Sequence, residues 1–342
     1  MAKRLDVVEQ SFLDTVQANN LIEKNDVIVV GVSGGPDSIT LLACLNKYKE
    51  KFGCKLVVAH INHLIRKDST EDEEFVENVC KKSGIKFFAK RAEVEKLAEE
   101  QKRGTEDMGR IIRYEFFKEV ASKVNANKIA IAHNMNDNAE TMIMNLLRGT
   151  ALSGLEGIQP INEDRFEDND LIVIRPLINC ERNDIEKYCE ENKLNPRIDS
   201  TNKENIYRRN EIRNELIPYL KKFNPNIVET LSRTSKLIYE NNLFVETVIE
   251  NAFNKIMEDQ DHNEKDVIEI KLDILNNMDL IVRKGIIIKS IKKLNGTSRG
   301  IQKTNIDDVI SIADRGEGNK EITFNNLKFS IKNKKLIIAQ LV

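Results

Sequence analysis

The sequence predicts an α/β protein with a doubly wound parallel sheet of five strands, followed by a mainly helical domain that ends in a β-hairpin. In the first part of the chain, short apolar runs rich in Val and Ile alternate with segments of helical periodicity, a pattern typical of parallel strands joined by helices. Beyond Pro218 the apolar residues recur at helical spacing almost throughout. These two patterns, alternating strands and helices followed by helices alone, predict the fold class.

The predicted strands lie near residues 27–32, 55–62, 85–89, 128–133 and 171–177. A helix over residues 1–24 precedes the first strand, and a long helical region covers 94–124. The acidic segment Asn162–Asp170 is expected to form an exposed, mobile loop between a helix and a strand. In such a parallel sheet the carboxyl ends of the strands meet at one edge, where ligands bind.

The second part of the chain reads as helices with strands at its end. Asn224-Pro225-Asn226 predicts a helix start, because Asn caps helices and Pro is tolerated in the first turn. From there to about Asp259 the spacing indicates one long amphipathic helix or two in succession. Further helices are expected over 272–294 and 303–315, and a β-hairpin over 321–341.

The composition is that of an ordinary soluble protein, with 40% hydrophobic and 32% charged residues. We expect a cytoplasmic protein with no membrane contact, because no apolar run is long enough to cross a bilayer and the first residues lack the apolar core of a signal peptide. The five cysteines form no Cys-x-x-Cys pair, which predicts reduced, buried thiols rather than a zinc or iron–sulfur site.

A glycine-rich turn, Ser33-Gly34-Gly35-Pro36-Asp37-Ser38, joins the first predicted strand to a helix. Backbone N–H groups in such a loop and at the start of the helix can bind phosphate oxygens. The loop is not a Walker A loop, since no Gly-Lys-Ser/Thr ends it. It resembles the loop of the PP-loop ATP pyrophosphatases, which split ATP into AMP and pyrophosphate. The alternative is a plain glycine turn.

Polar side chains follow two other predicted strands. The second strand ends in His60 and Asn62, which should face the same crevice and hold a nucleotide, unless they are surface residues. The fourth strand ends in His133, and Asp137 and Glu140 share one face of the helix that follows. Two carboxylates beside a triphosphate site suit either a metal ion or a cationic substrate.

Arginines occur in three further segments. Arg113 lies on the long helix, in Gly109-Arg110-Ile111-Ile112-Arg113-Tyr114. Arg148 precedes spaced glycines in Leu146–Ile158, as in a mobile loop closing over a phosphate-rich ligand. Arg209 and Arg213 follow Asp199-Ser200-Thr201-Asn202, and arginine suits bidentate contacts with phosphate or carboxylate.

These segments, with His60-Ile61-Asn62-His63-Leu64-Ile65-Arg66 and Arg175-Pro176-Leu177, resemble in order the motifs of the tRNA(Ile)-lysidine synthetase family, over about residues 26–220. The resemblance implies a ligase that binds ATP and Mg²⁺ and acts on free L-lysine and on tRNA(Ile) with a CAU anticodon. Its product would be lysidine at the wobble cytidine, formed through an adenylated intermediate.

The resemblance also implies roles for particular residues. ATP would bind at Ser33, Gly34, Gly35, Pro36, Asp37 and Ser38 with help from His60, Asn62 and His133, and Asp37 would lie at the metal. Asp137 and Glu140 would bind the lysine ammonium, and one of them could accept a proton from its amine. Arg209 would contact the lysine carboxylate or the AMP phosphate. Arg113, Arg148 and Arg213 would contact substrate, the first two as nucleotide or tRNA ligands.

The same resemblance divides the chain into a catalytic domain, 1–220, and a tRNA-binding domain, 221–342. Family members commonly end in two carboxy-terminal domains, and this sequence has room for only the first, as a natural short form or a truncated one. The stretch Leu280–Ile306 contains lysines and arginines but no acid, so Lys289, Lys292 and Lys293 are candidates for a tRNA surface. A solvated helix face explains the same charges equally well.

Three other functions could use the same loop. A PP-loop tRNA 2-thiolase would adenylate the same carbonyl, but those enzymes use Cys-x-x-Cys pairs or a reactive cysteine. Amide-forming synthetases usually work with a glutaminase domain, for which the chain has no room. A regulatory ATP-binding module of the universal-stress type would need the loop but not Asp137, Glu140 and Arg209. A homodimer is compatible with the sequence, which leaves the oligomeric state open.

Overall fold

The computed structural model describes residues 5–62, 64, 69–162, 171–197, 208–258, 266–298, 300–316 and 321–341. Contacts divide the chain into two compact units, Met1–Leu237 and Ile238–Val342, so the dividing point lies within one long helix. No helix among the described residues is both long enough and apolar enough to cross a membrane.

The first unit contains, in order, α1 (Val7–Ala18), β1 (Val27–Gly31), α2 (Pro36–Phe52), β2 (Lys55–Asn62), α3 (Ser69–Ser83), β3 (Lys86–Arg91), α4 (Val94–Glu100), α5 (Thr105–Val124), β4 (Lys128–Ala130), α6 (Met135–Arg148), α7 (Leu152–Leu155), β5 (Ile161–Asn162), β6 (Ile172–Ile174), α8 (Arg182–Glu191), α9 (Arg208–Glu211), a π-helical turn (Ile212–Leu216), α10 (Ile217–Lys221) and the start of α11 (Ile227–Glu258).

The strands of this unit form one sheet in the order β3-β2-β1-β4-β6-β5. Five of them are parallel and correspond to the predicted strands, which confirms the doubly wound class. The predicted number of five was wrong for the sheet as a whole, because β5 adds a sixth strand, antiparallel to β6. A two-residue strand is too short to show any periodicity in the sequence, so this edge could not be predicted.

Helices cover the sheet on both faces, and alternate side chains of β1 pack into the cores on opposite faces. Ile28 and Val30 pack in a core shared with α1, α2 and α8, whereas Val29 packs against α5. Phe12 and Phe117 are among the aromatic residues buried in these two cores. Burying a side chain of this size contributes about 1.5–3 kcal/mol, so the two faces together hold the strand order in place.

The helical region predicted over 94–124 is interrupted. α4 ends at Glu100 and α5 starts at Thr105, with Gly104 in extended conformation as its N-cap residue. The acidic segment predicted as a mobile loop lies, apart from Asn162, outside the described residues. All five cysteines are buried and free, as predicted, and burial raises the pKa of Cys44 to about 12.

The second unit contains the rest of α11, then β7 (Val267–Lys271), α12 (Leu272–Asn276), α13 (Leu280–Asn295), α14 (Lys303–Arg315), β8 (Ile322–Phe324), β9 (Leu327–Lys332) and β10 (Lys335–Gln340). Its strands form an antiparallel sheet in the order β7-β10-β9-β8. The region predicted as a terminal hairpin forms three of these strands, β8, β9 and β10, and β7, which precedes α12 in the chain, adds the fourth by pairing with β10.

Candidate active site

The glycine-rich turn lies at the carboxyl end of β1, next to β4, where the strand order reverses direction. Gly34 has φ +96°, a left-handed conformation that favours glycine. The hydroxyl of Ser38 accepts hydrogen bonds from the backbone N–H of Ser33 at 3.1 Å and of Gly34 at 3.2 Å. The same hydroxyl donates to the carbonyl of Gly35 at 3.0 Å, so Ser38 holds the loop against the start of α2.

Asp37 lies in the first turn of α2, and both oxygens of its carboxylate have partners. Oδ1 accepts a hydrogen bond of 2.7 Å from Nδ2 of Asn134, and Oδ2 lies 3.5 Å from Nη2 of Arg182. Burial raises the pKa of Asp37 above its usual value, in spite of the opposing charge of Arg182. The carboxylate is thus directed toward the residues that follow the carboxyl end of β4.

Asp137 and Glu140 project from the start of α6, which follows β4. Asn134 caps this helix by accepting the N–H of Asp137 at 3.0 Å, and Asp137 Oδ2 accepts the N–H of Asn134 at 3.1 Å. This reciprocal capping box fixes the Asp137 carboxylate. Glu140, one turn further on, is 0% exposed.

Two arginines from the segment after residue 207 enclose Glu140. Nε of Arg209 donates to Glu140 Oε2 at 2.9 Å, and Nε of Arg213 donates to Oε1 at 2.6 Å. Arg213 reaches Asp137 Oδ1 as well, at 3.3 Å. Burial opposes the charge of Arg213, but Glu140, Asp137 and Asp37 more than offset it and raise its pKa.

The sequence predicts that Glu140 contacts the lysine substrate directly, and the geometry gives it a different neighbourhood. Both of its oxygens already accept hydrogen bonds from Arg209 and Arg213, and the side chain has no solvent exposure. Asp137 is the more accessible of the two carboxylates, with 12% of its side chain exposed. Glu140 is therefore held between two arginines, and Asp137 is the more exposed of the two carboxylates.

Sequence reasoning missed Arg182, the first residue of α8. Its Nη2 lies 3.4 Å from Asp137 Oδ1 and 3.5 Å from Asp37 Oδ2, so it connects the loop acid to the acid of α6. The available signal was its position shortly after the strand β6, the neighbour of β4 in the sheet. We call Asp37, Asp137, Glu140, Arg182, Arg209 and Arg213 the strand-tip cluster.

His133, between β4 and α6, lies in a positively charged neighbourhood. Its Nδ1 accepts a hydrogen bond of 3.2 Å from Nε of Arg175, a buried residue that also donates to the carbonyl of Gln159. Burial and the nearby charges of Arg175, Arg209, Arg110 and Arg113 hold the pKa of His133 well below its usual value. The imidazole is therefore neutral, with its proton on Nε2, in a region suited to an anion.

The structure places His60 and Asn62 at the end of β2 but turns them inward. Both are 2% exposed. His60 Nδ1 bonds to the carbonyl of Val32 at 2.8 Å, and Asn62 donates to Glu73 at 3.1 Å. His60 supports the backbone next to the loop, and Asn62 connects the end of β2 to Glu73 of α3. The nucleotide-binding role expected of these two residues stays a prediction.

The remaining predicted site residues lie farther apart. Arg113 is exposed on α5, close enough to His133 to influence its pKa. Arg148 is exposed at the far end of α6, roughly 16 Å along the helix from Asp137 by the rise of 1.5 Å per residue. His63, Arg66, Asp199–Asn202 and Tyr207 lie outside the described residues.

The segment after Arg148 was predicted to be a mobile loop, and the structure shows it fastened. The N–H of Ile158 donates to Asn138 Oδ1 at 2.7 Å, and Asn145 donates to the carbonyl of Gly154 at 2.7 Å. Gly157 has φ +66°, and a Cβ there would lie 2.0 Å from Asn138 Oδ1. This close approach requires glycine and ties the segment to α6.

In the second unit, Lys289, Lys292 and Lys293 lie on α13. Lys292 and Lys293 are exposed, but Lys289 forms an ion pair with Glu250 of α11 and lies 3.8 Å from Glu246. The stretch that lacks acids in the sequence is therefore close to acids in space. We call Lys289, Lys292 and Lys293 the α13 surface.

Comparison with known proteins assigns the chain to a family. Residues 5–220 match the PP-loop domain family, which defines the class as a PP-loop protein that uses ATP. The tRNA(Ile)-lysidine synthase of Clostridioides difficile is 41% identical over 328 residues, covering 95% of this chain and 69% of that protein. That of Clostridium acetobutylicum is 42% identical over 318 residues, covering 92% and 66%. The chain belongs to the tRNA(Ile)-lysidine synthase family of ATP-dependent PP-loop ligases.

The chain spans about two thirds of the length of the curated relatives it matches. A solved structure of similar fold is the U34-tRNA thiolase NcsA from Methanococcus maripaludis, with its 4Fe-4S cluster. It superposes with a TM-score of 0.56 at 18% identity, covering 68% of this chain and 78% of that one. At this identity the similarity shows the fold alone, and it does not support the thiolase alternative.

The residues of the site fit Mg²⁺ in the manner usual for nucleotide enzymes. Mg²⁺ is commonly held by one or two carboxylates together with substrate phosphates, rather than by a cage of protein ligands. Asp37 supplies such a carboxylate beside the glycine-rich turn. Among the residues described, no group of three or more His, Cys, Asp and Glu side chains is arranged to hold a metal on its own.

Proposed function

We propose that this chain ligates free L-lysine to C2 of the wobble cytidine of tRNA(Ile) with a CAU anticodon, in the cytoplasm. The observation that carries the proposal is the strand-tip cluster. Arg182 joins Asp37, the acid of the ATP loop, to Asp137, the carboxylate that a cationic substrate can approach. Adenylation and lysine capture thus have adjoining sites.

The proposed reaction has two steps. The O2 atom of cytosine forms a bond to the α-phosphorus of ATP, the bond from that phosphorus to the bridging oxygen breaks, and pyrophosphate leaves with the electron pair. The Nε atom of lysine then forms a bond to C2, the C2–O bond breaks, AMP leaves with that oxygen, and the amine loses a proton.

The residues divide this work as follows. Ser33–Ser38 and the first turn of α2 bind the triphosphate, and Mg²⁺ held by Asp37 would stabilise charge on the leaving pyrophosphate. Neutral His133, with Arg113 and Arg175 nearby, lines the adjacent positively charged region, which suits a phosphate. Asp137 binds the lysine ammonium and is the candidate base, since Glu140 is fully engaged by two arginines. Arg209 is the candidate partner for the lysine carboxylate or the AMP phosphate.

We assign residues 1–220 to catalysis and residues 221–342 to tRNA binding. The Lys292 and Lys293 ammonium groups, both exposed on α13, support the second assignment. Arg148 and Arg113, exposed on the first unit, are further candidates for nucleotide or tRNA contacts.

The direct test is the mass of the wobble nucleoside after incubation of the full chain with ATP, Mg²⁺, L-lysine and tRNA(Ile) carrying a CAU anticodon. We expect the lysine adduct at that nucleoside, together with AMP and pyrophosphate release sustained over many turnovers. The matched control is the same tRNA with uridine at the wobble position, which should give no adduct.

Two outcomes contradict the proposal. Sustained pyrophosphate release that does not depend on lysine would exclude lysine as the nucleophile that attacks C2 of the adenylated cytidine. A mass gain equal to replacement of oxygen by sulfur, with a sulfur donor present, would favour the 2-thiolase reading instead.

A further inference from the structure

Arg182 differs from the other two arginines of the strand-tip cluster in how tightly it is held. Arg209 and Arg213 reach Glu140 with bonds of 2.9 and 2.6 Å. Arg182 makes contacts of 3.4 and 3.5 Å to Asp137 and Asp37, both through Nη2. Charge-assisted hydrogen bonds between N–H and a carboxylate are usually about 2.7–2.9 Å, so the Arg182 guanidinium is held loosely.

The backbone of Arg182, by contrast, is fixed. Its N–H donates to Asn136 Oδ1 at 3.0 Å, and the N–H of Met135 donates to the carbonyl of Cys180 at 2.9 Å. These two bonds hold the start of α8 beside the start of α6. The guanidinium, 21% exposed, can therefore move between partners while its attachment point stays in place.

The charges of the cluster balance before any ligand enters. The carboxylates of Asp37, Asp137 and Glu140 face the guanidinium groups of Arg182, Arg209 and Arg213. A cation at Asp37 and a lysine ammonium at Asp137 would occupy both partners of Arg182. Arginine cannot lose its proton in a protein, so the displaced guanidinium requires a new anion.

We propose that Arg182 is a phosphate-binding residue. When ATP and its cation bind, the Arg182 guanidinium moves away from Asp37 and Asp137 and binds the polyphosphate of the nucleotide. The planar guanidinium offers a bidentate fork that matches phosphate oxygens. Arg209 and Arg213 each have a contact of 2.9 Å or less to Glu140, whereas both contacts of Arg182 to carboxylates are 3.4 Å or longer, so Arg182 gives up the least when it exchanges partners. This inference rests on the proposed function for the presence of ATP at the loop.

The test is calorimetric titration of the full chain with α,β-methylene-ATP and Mg²⁺, and separately with adenosine. The methylene group prevents cleavage, so binding is measured without turnover. Arg182→Gln should weaken binding of the analogue about tenfold or more, the effect of losing a hydrogen bond to a charged group. Adenosine binding should not change. Lys187→Gln, an exposed residue on the same helix, is the matched control and should bind both as the parent chain does.

Each other outcome is decisive. Equal binding of the analogue by parent and Arg182→Gln contradicts the inference alone, and so does an equal loss for analogue and adenosine. A parent chain that does not bind the analogue contradicts the ATP part of the proposed function and this inference with it. Should Arg182→Gln fail to fold, Arg182→Lys keeps the charge without the fork, and we expect a loss of about threefold for the analogue only.

Discussion

The strand-tip cluster of the first unit and helix α13 of the second both pair basic residues with acids, but in different environments. In the cluster, carboxylates from α2 and α6 meet arginines from α8, α9 and the π-helical turn, around a carboxylate that is fully buried. On α13, Lys284 pairs with Asp307 and Lys289 with Glu250, and each of these acids is more than 40% exposed.

Desolvation explains what this difference means. An exposed ion pair contributes about 0–1 kcal/mol, because water and salt screen it. Removing one partner of a buried pair leaves a charge without compensation and costs about 3–5 kcal/mol. The cluster is therefore a site whose members depend on one another, whereas the α13 surface is a set of charges that can change one at a time.

The largest effect that would test this contrast comes from Glu140→Gln. It removes the charge that orients Arg209 and Arg213, and we expect about 2 kcal/mol less stability, below the full buried-pair cost because both arginines are 23% exposed. We expect lysine adduct formation to fall by about a hundredfold or more, since losing an oriented charge pair disturbs both substrates. Urea unfolding and the adduct assay, run where the variant is folded, measure the two losses.

The matched control is Asp26→Asn, at the opposite end of β1. Asp26 is buried and paired with buried Lys128 at 2.9 Å, so it should lose comparable stability. Its adduct formation should match that of the parent chain. If the two variants lose activity alike when corrected for the folded fraction, Glu140 acts only through stability.

A second, smaller effect is the pH dependence of stability. Burial lowers the pKa of His60, and burial with neighbouring arginines lowers that of His133. Both folded values lie below the unfolded value of about 6.5, so the unfolded chain takes up protons first as pH falls. Their contribution is complete above about pH 6.5 and is lost below it, at up to about 1.4 kcal/mol per pH unit for each histidine.

Urea midpoints at pH 7.5, 6.5 and 5.5 check this prediction. The double variant His60→Asn and His133→Asn keeps a polar atom near Nδ1 of each ring and should show a shallower pH slope. Asp37, whose raised pKa acts in the opposite direction, is common to both chains. An unchanged slope would show that the two histidines titrate alike in the folded and unfolded chain.

The parallel strands and the loop could be predicted because each depends on local sequence. Val27–Gly31 is an apolar run, and Gly34 occupies a conformation that favours glycine. The position of Asp137 could be predicted as well, because its capping interaction with Asn134 is local. These features need no knowledge of distant contacts.

The partners of those residues could not be predicted, since they come from distant segments. Arg182 meets Asp37 and Asp137 only because β6 lies next to β4, so its position after β6 points to the site only once that strand order is known. The environment of Glu140 could not be predicted, because its two arginines lie about seventy residues further along the chain. The acids facing α13 come from α11 and α14, so a run without acids did not mean a surface without acids.

The smallest effect, and the one that tests the other side of the contrast, is charge reversal of Lys292 and Lys293. Both lie exposed in the last turn of α13, where Glu would lose a favourable interaction with the helix dipole worth a few tenths of a kcal/mol each. We expect weaker tRNA binding, and the dependence of log affinity on log salt concentration should become less steep by about 1 for each lysine that contacts a phosphate.

The double variant Lys49→Glu and Lys51→Glu makes the same change in the last turn of α2 and should leave tRNA binding unaltered. Equal tRNA affinities for the two double variants, measured by filter binding over a range of salt, would remove the α13 surface from the tRNA interface. Lys289→Glu, tested separately, should have less effect, because Glu250 already neutralises that lysine.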